Sequence, residues 1–178
     1  MKKKFNCAGF SILEATLALG VVSIGLLGVF SLSLQTARAQ YINKSYLAAS
    51  MLAQEGLELV RNVRDNNFLR ADQGYDWGYG QGANSGTDII QDGSYTIDYD
   101  LAINSAPNDF NSDLTRLYID SGRYTHQPTA SSRTTPYRRL IYVSDYHPDY
   151  IELRSVVSWT ERGQIHSYEA VTNLYNWW

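Results

Sequence analysis

Cysteine is almost missing from this chain: the single copy, Cys7, precedes a long apolar segment, so everything after it lacks a thiol and can form no disulfide. Small secreted domains often rely on such crosslinks, and without them stability falls to the core. Proline is scarce as well, with four in 178 residues, the first of them Pro107. Histidine occurs three times, as His126, His147 and His166, at no metal-ligand spacing. No glycine loop fits a phosphate cradle. Ser144, Asp145 and His147 are sequence neighbours, which is no sign of a triad, because triads are spatial constellations. These gaps argue against an enzyme, and no cofactor is expected.

Charge is missing where its absence matters most. No residue from Ala15 to Ala37 is charged, and Arg38 is the first charge after Glu14. Those twenty-three residues make about 34 Å of helix, enough to cross a bilayer's hydrocarbon core. Only the small hydroxyls of Thr16, Ser23, Ser31 and Ser33 interrupt the apolar surface. Lys2, Lys3 and Lys4 precede the span, so the positive-inside rule places the N-terminus in the cytoplasm. The remainder of 178 residues suffices for one modest soluble domain. Net charge is −3, and loss of the three leader lysines leaves 12 basic against 18 acidic groups, or −6. An acidic surface makes nucleic acid an improbable partner.

Three processing fates suit such a start. A conventional signal peptide would be cut after Ala39, behind Ala37-Arg38-Ala39, but the apolar run is longer than the usual signal core. A lipoprotein cut before Cys7 would need an apolar stretch upstream, and Lys2 to Asn6 provide none. The third fate accounts for Gly9-Phe10-Ser11-Ile12-Leu13-Glu14, which resembles the cleavage and methylation signal of type IV prepilins, followed here as there by an apolar helix. The resemblance implies cleavage between Gly9 and Phe10 by prepilin peptidase and methylation of the new Phe10 amine. It also implies that Glu14, the fifth residue after the cut, pairs with the N-terminal amine of a subunit already in a filament. A carboxylate at the head of an apolar helix is costly and gains most from a cation met in low dielectric; the plainer alternative is a side chain snorkelling to the interface.

Ser23-Ile24-Gly25-Leu26-Leu27-Gly28 is similar to minor pilins of the PilV type, and the lack of proline in this helix weighs against a major subunit. Gly20, Gly25 and Gly28 could let the helix loosen or let neighbouring helices pack closely, or they are the glycines that membrane helices ordinarily tolerate. Trp159-Thr160-Glu161-Arg162-Gly163 and the closing Asn176-Trp177-Trp178 also look pilin-like, although the C-terminal disulfide loop of many pilins is impossible here.

Past the apolar run, Ile42, Tyr46, Ala49, Ala53, Gly56, Val60 and Val63 recur at helical spacing, a stripe that could pack on neighbouring stalks or beneath the chain's own head; from Ala48 to Val63 it is expected to close the head's sheet. Asp65-Asn66-Asn67 is expected to break the helix. Strands are expected over Tyr95–Ile103, Leu114–Asp120, Arg138–Ser144, Ile151–Trp159 and Ile165 to about Thr172. Turns are expected at Asp120-Ser121-Gly122-Arg123 and Glu161-Arg162-Gly163-Gln164. The fold class is therefore α+β: a long N-terminal helix, its first half transmembrane, packed on an antiparallel β-sheet head. The divisions are a leader at 1–9, a transmembrane and assembly helix at 10–37, its continuation at 38–66 and the head at 67–178.

Secondary sites are few. Asp109, Asn111, Asp113 and Asp120 resemble the start of a calcium loop, but Leu114 stands where glycine is needed. Arg133, Arg138 and Arg139 beside Tyr137 and Tyr142 make a basic and aromatic cluster suited to DNA, or else a solvated strand edge. Tyr75, Trp77 and Tyr79 could stack on sugar rings, or cover the head's own core. The reading reached is a minor pilin or pseudopilin of a type IV pilus or type II secretion-like filament. The resemblance implies as partners other pilins, the prepilin peptidase, an assembly platform with its ATPase, and the cytoplasmic membrane. Its final location would be an extracellular or periplasmic filament. The alternative is a membrane-anchored or secreted binding module for glycan or DNA.

Overall fold

The computed structural model describes residues 11–69, 92–144, 147 and 149–177. Helix α1 spans Ile12–Phe68, and the chain divides into two units, one ending at Ser45 and the other Tyr46–Trp178. In the first unit the helix is apolar and unburied, long and hydrophobic enough to cross a membrane. Three of its hydroxyls do not spoil that surface, because they return to their own backbone. Thr16 donates to the Leu13 carbonyl at 2.9 Å, Ser23 to Leu19 at 2.7 Å and Thr36 to Leu32 at 2.9 Å. A polar group satisfied inside its own helix costs little in lipid.

In the second unit the helix turns amphipathic. Ala49, Leu52, Ala53, Gly56, Leu57, Val60 and Val63 are buried, so the stripe closes the sheet from Ala49 to Val63, whereas its earlier members Ile42 and Tyr46 are exposed. Asp65-Asn66-Asn67 does not break the helix, contrary to expectation. The Asn66 amide bonds Asn62 Oδ1 one turn back at 2.7 Å, Asp65 receives Arg64, and Asn67 is buried. Short polar residues leave helices when their side chains capture nearby backbone; here those side chains are otherwise engaged, and α1 runs on to Phe68.

Among the described residues seven strands follow: β1 (Gly93–Ile97), β2 (Ile103–Ser105), β3 (Arg116–Asp120), β4 (Arg123–Thr125), β5 (Arg133–Ser144), β6 (Tyr150–Glu161) and β7 (Gln164–Tyr175). Every pairing is antiparallel. The central strand β5 has β6 and then β7 on one side, while β1 with β2 and β3 with β4 share its other side. The β3–β4 and β6–β7 hairpins turn through Ser121-Gly122 and Arg162-Gly163, where both residues have positive φ. That is the two-residue turn whose twist matches paired strands, and it confirms both expected turns.

Two expected strands are shorter than the periodicity suggested. Tyr95–Ile103 is interrupted: Leu101, at φ 66°, donates to the Asp98 carbonyl at 2.9 Å, and Ala102 donates to Asp100 Oδ1 at 3.1 Å. The aspartates make a turn inside what alternation reads as one strand. Asp113–Thr115 is a 3-10 turn, capped by Ser112 Oγ accepting Leu114 N–H, so β3 starts only at Arg116.

Two apolar clusters lie between helix and sheet, one around Val60, Val63, Ile97, Ile141, Leu153 and Leu174. The other gathers Ala49, Leu52, Ala53, Leu117, Val157 and Trp159. Gly56 marks the closest approach: a Cβ there would sit 2.8 Å from Ile141 Cδ1 and 2.8 Å from Ser155 Oγ.

Candidate functional site

Gly9 and Phe10, the residues of the cleavage signal, lie outside the described residues, as do Tyr75, Trp77 and Tyr79. Glu14 occupies the first turn of α1 and is exposed. A carboxylate there faces the positive end of the helix macrodipole. Behind it, Leu17, Val21, Ile24, Leu27 and Phe30 are all exposed. Beside Gly20, Gly25 and Gly28, nothing in the described chain apart from the adjoining residues and the helix's own backbone comes within 4 Å of where a Cβ would stand. Among the described residues these glycines meet no packing partner, and they leave shallow places where another helix can approach.

The arginine cluster does not form as a surface. Arg133 is exposed, Arg138 is half-buried with Nη1 donating to the Ser112 carbonyl at 2.6 Å, and Arg139 is fully buried. Strand alternation sends consecutive arginines to opposite faces of β5, and Arg139 faces α1 together with Ile141 and Val143. The expected basic and aromatic platform is thereby corrected.

Arg139 instead ties the head together. Nη1 donates to the Leu52 carbonyl of α1 at 3.2 Å and Nη2 to the Ile97 carbonyl of β1 at 2.8 Å. Glu55 Oε2 lies 3.7 Å from Nη1. Burial pulls the guanidinium below the ordinary arginine value, and the charges of Glu55 and Asp98 oppose that pull. Asp98 is buried too, and its Oδ1 accepts the backbone N–H of His126 at 2.7 Å and meets His126 Nδ1 at 2.8 Å. A carboxylate only accepts, so Nδ1 carries the proton in this contact. Burial alone would raise the Asp98 carboxyl. The hydrogen bonds and charge of His126, with the charge of Arg139, outweigh burial and hold it below the usual value.

The calcium residues are not brought together. Asp109 Oδ1 is taken by the Asn111 N–H at 2.8 Å, and Asp113 is exposed beside Arg116. Asp120 accepts Thr129 and Ser131 hydroxyls at 3.0 and 3.1 Å. Among the described residues, no group of three or more His, Cys, Asp or Glu side chains could hold a metal ion. His147 stacks on Tyr150 and His166 on Trp159.

Sequence reasoning missed the Asp98–His126–Arg139 network. One signal was available: Arg139 shares its period-two face with Ile141 and Val143, so a strand buried on that face must bury the arginine.

No protein family, curated protein or solved structure matches the chain. The long apolar N-terminal helix followed by an antiparallel sheet is consistent with a pilin-like order of elements.

Proposed function

We propose that this chain is a minor pilin or pseudopilin, a structural subunit of a type IV pilus or type II secretion-like filament. It is made as a single-pass precursor with its N-terminus in the cytoplasm, cut after Gly9 by prepilin peptidase and methylated on Phe10. An assembly platform and its ATPase then move it into the filament. The observation that carries this reading is one carboxylate, Glu14, at the head of a helix whose first half is exposed and apolar.

The physical logic is a change of solvent at small cost. Leaving lipid for a bundle of similar helices replaces one apolar environment with another, so association rests on close packing and on polar contacts specific to the bundle. Glu14 provides such a contact: unpaired in lipid it is costly, and paired with the amine of a neighbouring Phe10 it favours the assembled state.

Glu14→Ala tests the proposal in cells that make the filament. Sheared filaments should contain at least about tenfold less of this subunit, since breaking a desolvated ion pair costs several kcal/mol. The processed form should accumulate in the membrane. Unchanged incorporation would overturn the assembly role of Glu14.

A further inference from the structure

The sheet has one long free edge among the described residues. β7 pairs with β6 along its full length, Gln164↔Glu161 through Tyr175↔Tyr150, without a register shift, and has no other partner there. The other terminal strands, β2 and β4, are three residues each, and Arg123 stands on β4. Natural sheets protect a long edge with lysine, proline, a bulge or inward charge. β7 carries no lysine, arginine or proline, and Glu169 is its sole acidic residue. On the face away from α1, Ile165 is 77% exposed and Val171 54%. Tyr168 and Ala170 point to the other face, against the core clusters.

We infer that β7 is an interaction surface for β7 of a second copy of this chain, paired antiparallel about a two-fold axis perpendicular to the sheet. Such an axis keeps the helix-side face of one copy continuous with that of the other, so only residues of the same parity stand opposite each other. Centring the pair on Tyr168 sets Ile165 against Val171 of the second copy, Ser167 against Glu169, His166 against Ala170 and Gln164 against Thr172. Each strand is then its own complement: the exposed apolar residues cover one another, and the lone carboxylate meets a hydroxyl. Centring on Glu169 would oppose two like charges, which cross-strand pairing disfavours. The pattern thus selects a second copy with a defined register, and the pairing continues one sheet across two heads. The inference rests on the head alone, so it stands or falls separately from the assembly role of Glu14.

The test uses the full chain in detergent micelles with Cys7→Ser. Ile165→Cys and Val171→Cys variants are oxidised separately and mixed. The mixture should give at least about tenfold more crosslinked dimer than either alone, since only opposed Cβ atoms come within disulfide reach. Ile165→Lys, whose own-sheet neighbour across the strand is Thr160, should raise the dimer dissociation constant at least about tenfold by guarding the edge, with the unfolding midpoint unchanged. Crosslinking equal in all three samples overturns the register. A chain that stays monomeric overturns the inference, whether the β7 amides exchange freely with deuterium or are protected by another part of the same chain.

Discussion

Asp98 Oδ1 accepts both the backbone N–H and the ring Nδ1–H of His126, at 2.7 and 2.8 Å, with both side chains almost wholly buried. Residues 28 apart in sequence thereby pin the turn after β1 to the end of β4. Asp98 also adds negative charge near Arg139.

Acid should weaken the head through this contact. The Asp98 carboxyl titrates lower in the folded head than in the unfolded chain, so the folded state binds its proton less readily. Its stabilisation is complete above the ordinary carboxylate value of about 4 and disappears as pH falls through the lowered folded value. The thermal midpoint should drop between about pH 5 and pH 2. Asp98→Asn should start lower at neutral pH and lose part of that slope; an unchanged slope would remove Asp98 from the acid response.

Arg139 and Glu55 should behave very differently although they face each other. Arg139→Ala strips donors from two buried carbonyls and leaves Asp98 with His126 alone to offset its buried charge, a loss of about 3–5 kcal/mol. Glu55 is 36% exposed and 3.7 Å from the guanidinium, so Glu55→Gln should cost under about 1 kcal/mol. Equilibrium urea unfolding of both variants measures the contrast, and comparable losses would contradict it.

Gly56 should tolerate nothing larger. An alanine there gains about 1 kcal/mol of helix propensity, but its Cβ would press on Ile141, Ser155 and Arg139 Cδ at 3.2 Å. Overpacking costs about 1–3 kcal/mol, leaving a net loss of about 1. Gly56→Leu should lose several times more. Gly20→Ala, with open space around it, should leave the unfolding midpoint of the head unchanged.

Much of the fold was legible because period sets burial. The stripe Ala49, Ala53, Gly56, Val60, Val63 lies one turn apart on α1 and is buried, and β7 alternates as its sequence does, while β5 and β6 alternate except where Arg139-Leu140-Ile141 and Val157-Ser158-Trp159 are buried in succession. The hairpin turns were legible because Arg-Gly and Ser-Gly supply the positive φ that the turn demands. Alternation failed at Asp98, where a turn buries the aspartate and exposes Tyr99. It was misapplied at Arg138-Arg139, where a doublet suggestive of a basic surface is split between two faces. The partners that make such burial possible are remote in sequence, as His126 is from Asp98, and local pattern carries no trace of them.

The most direct measurement of the central claim is the mass and sequence of the mature N-terminus, taken from cells that possess the processing protease. The account predicts a membrane or filament form beginning with N-methylated Phe10. A chain still beginning at Met1, or one released with Gln40 at its start, would contradict it.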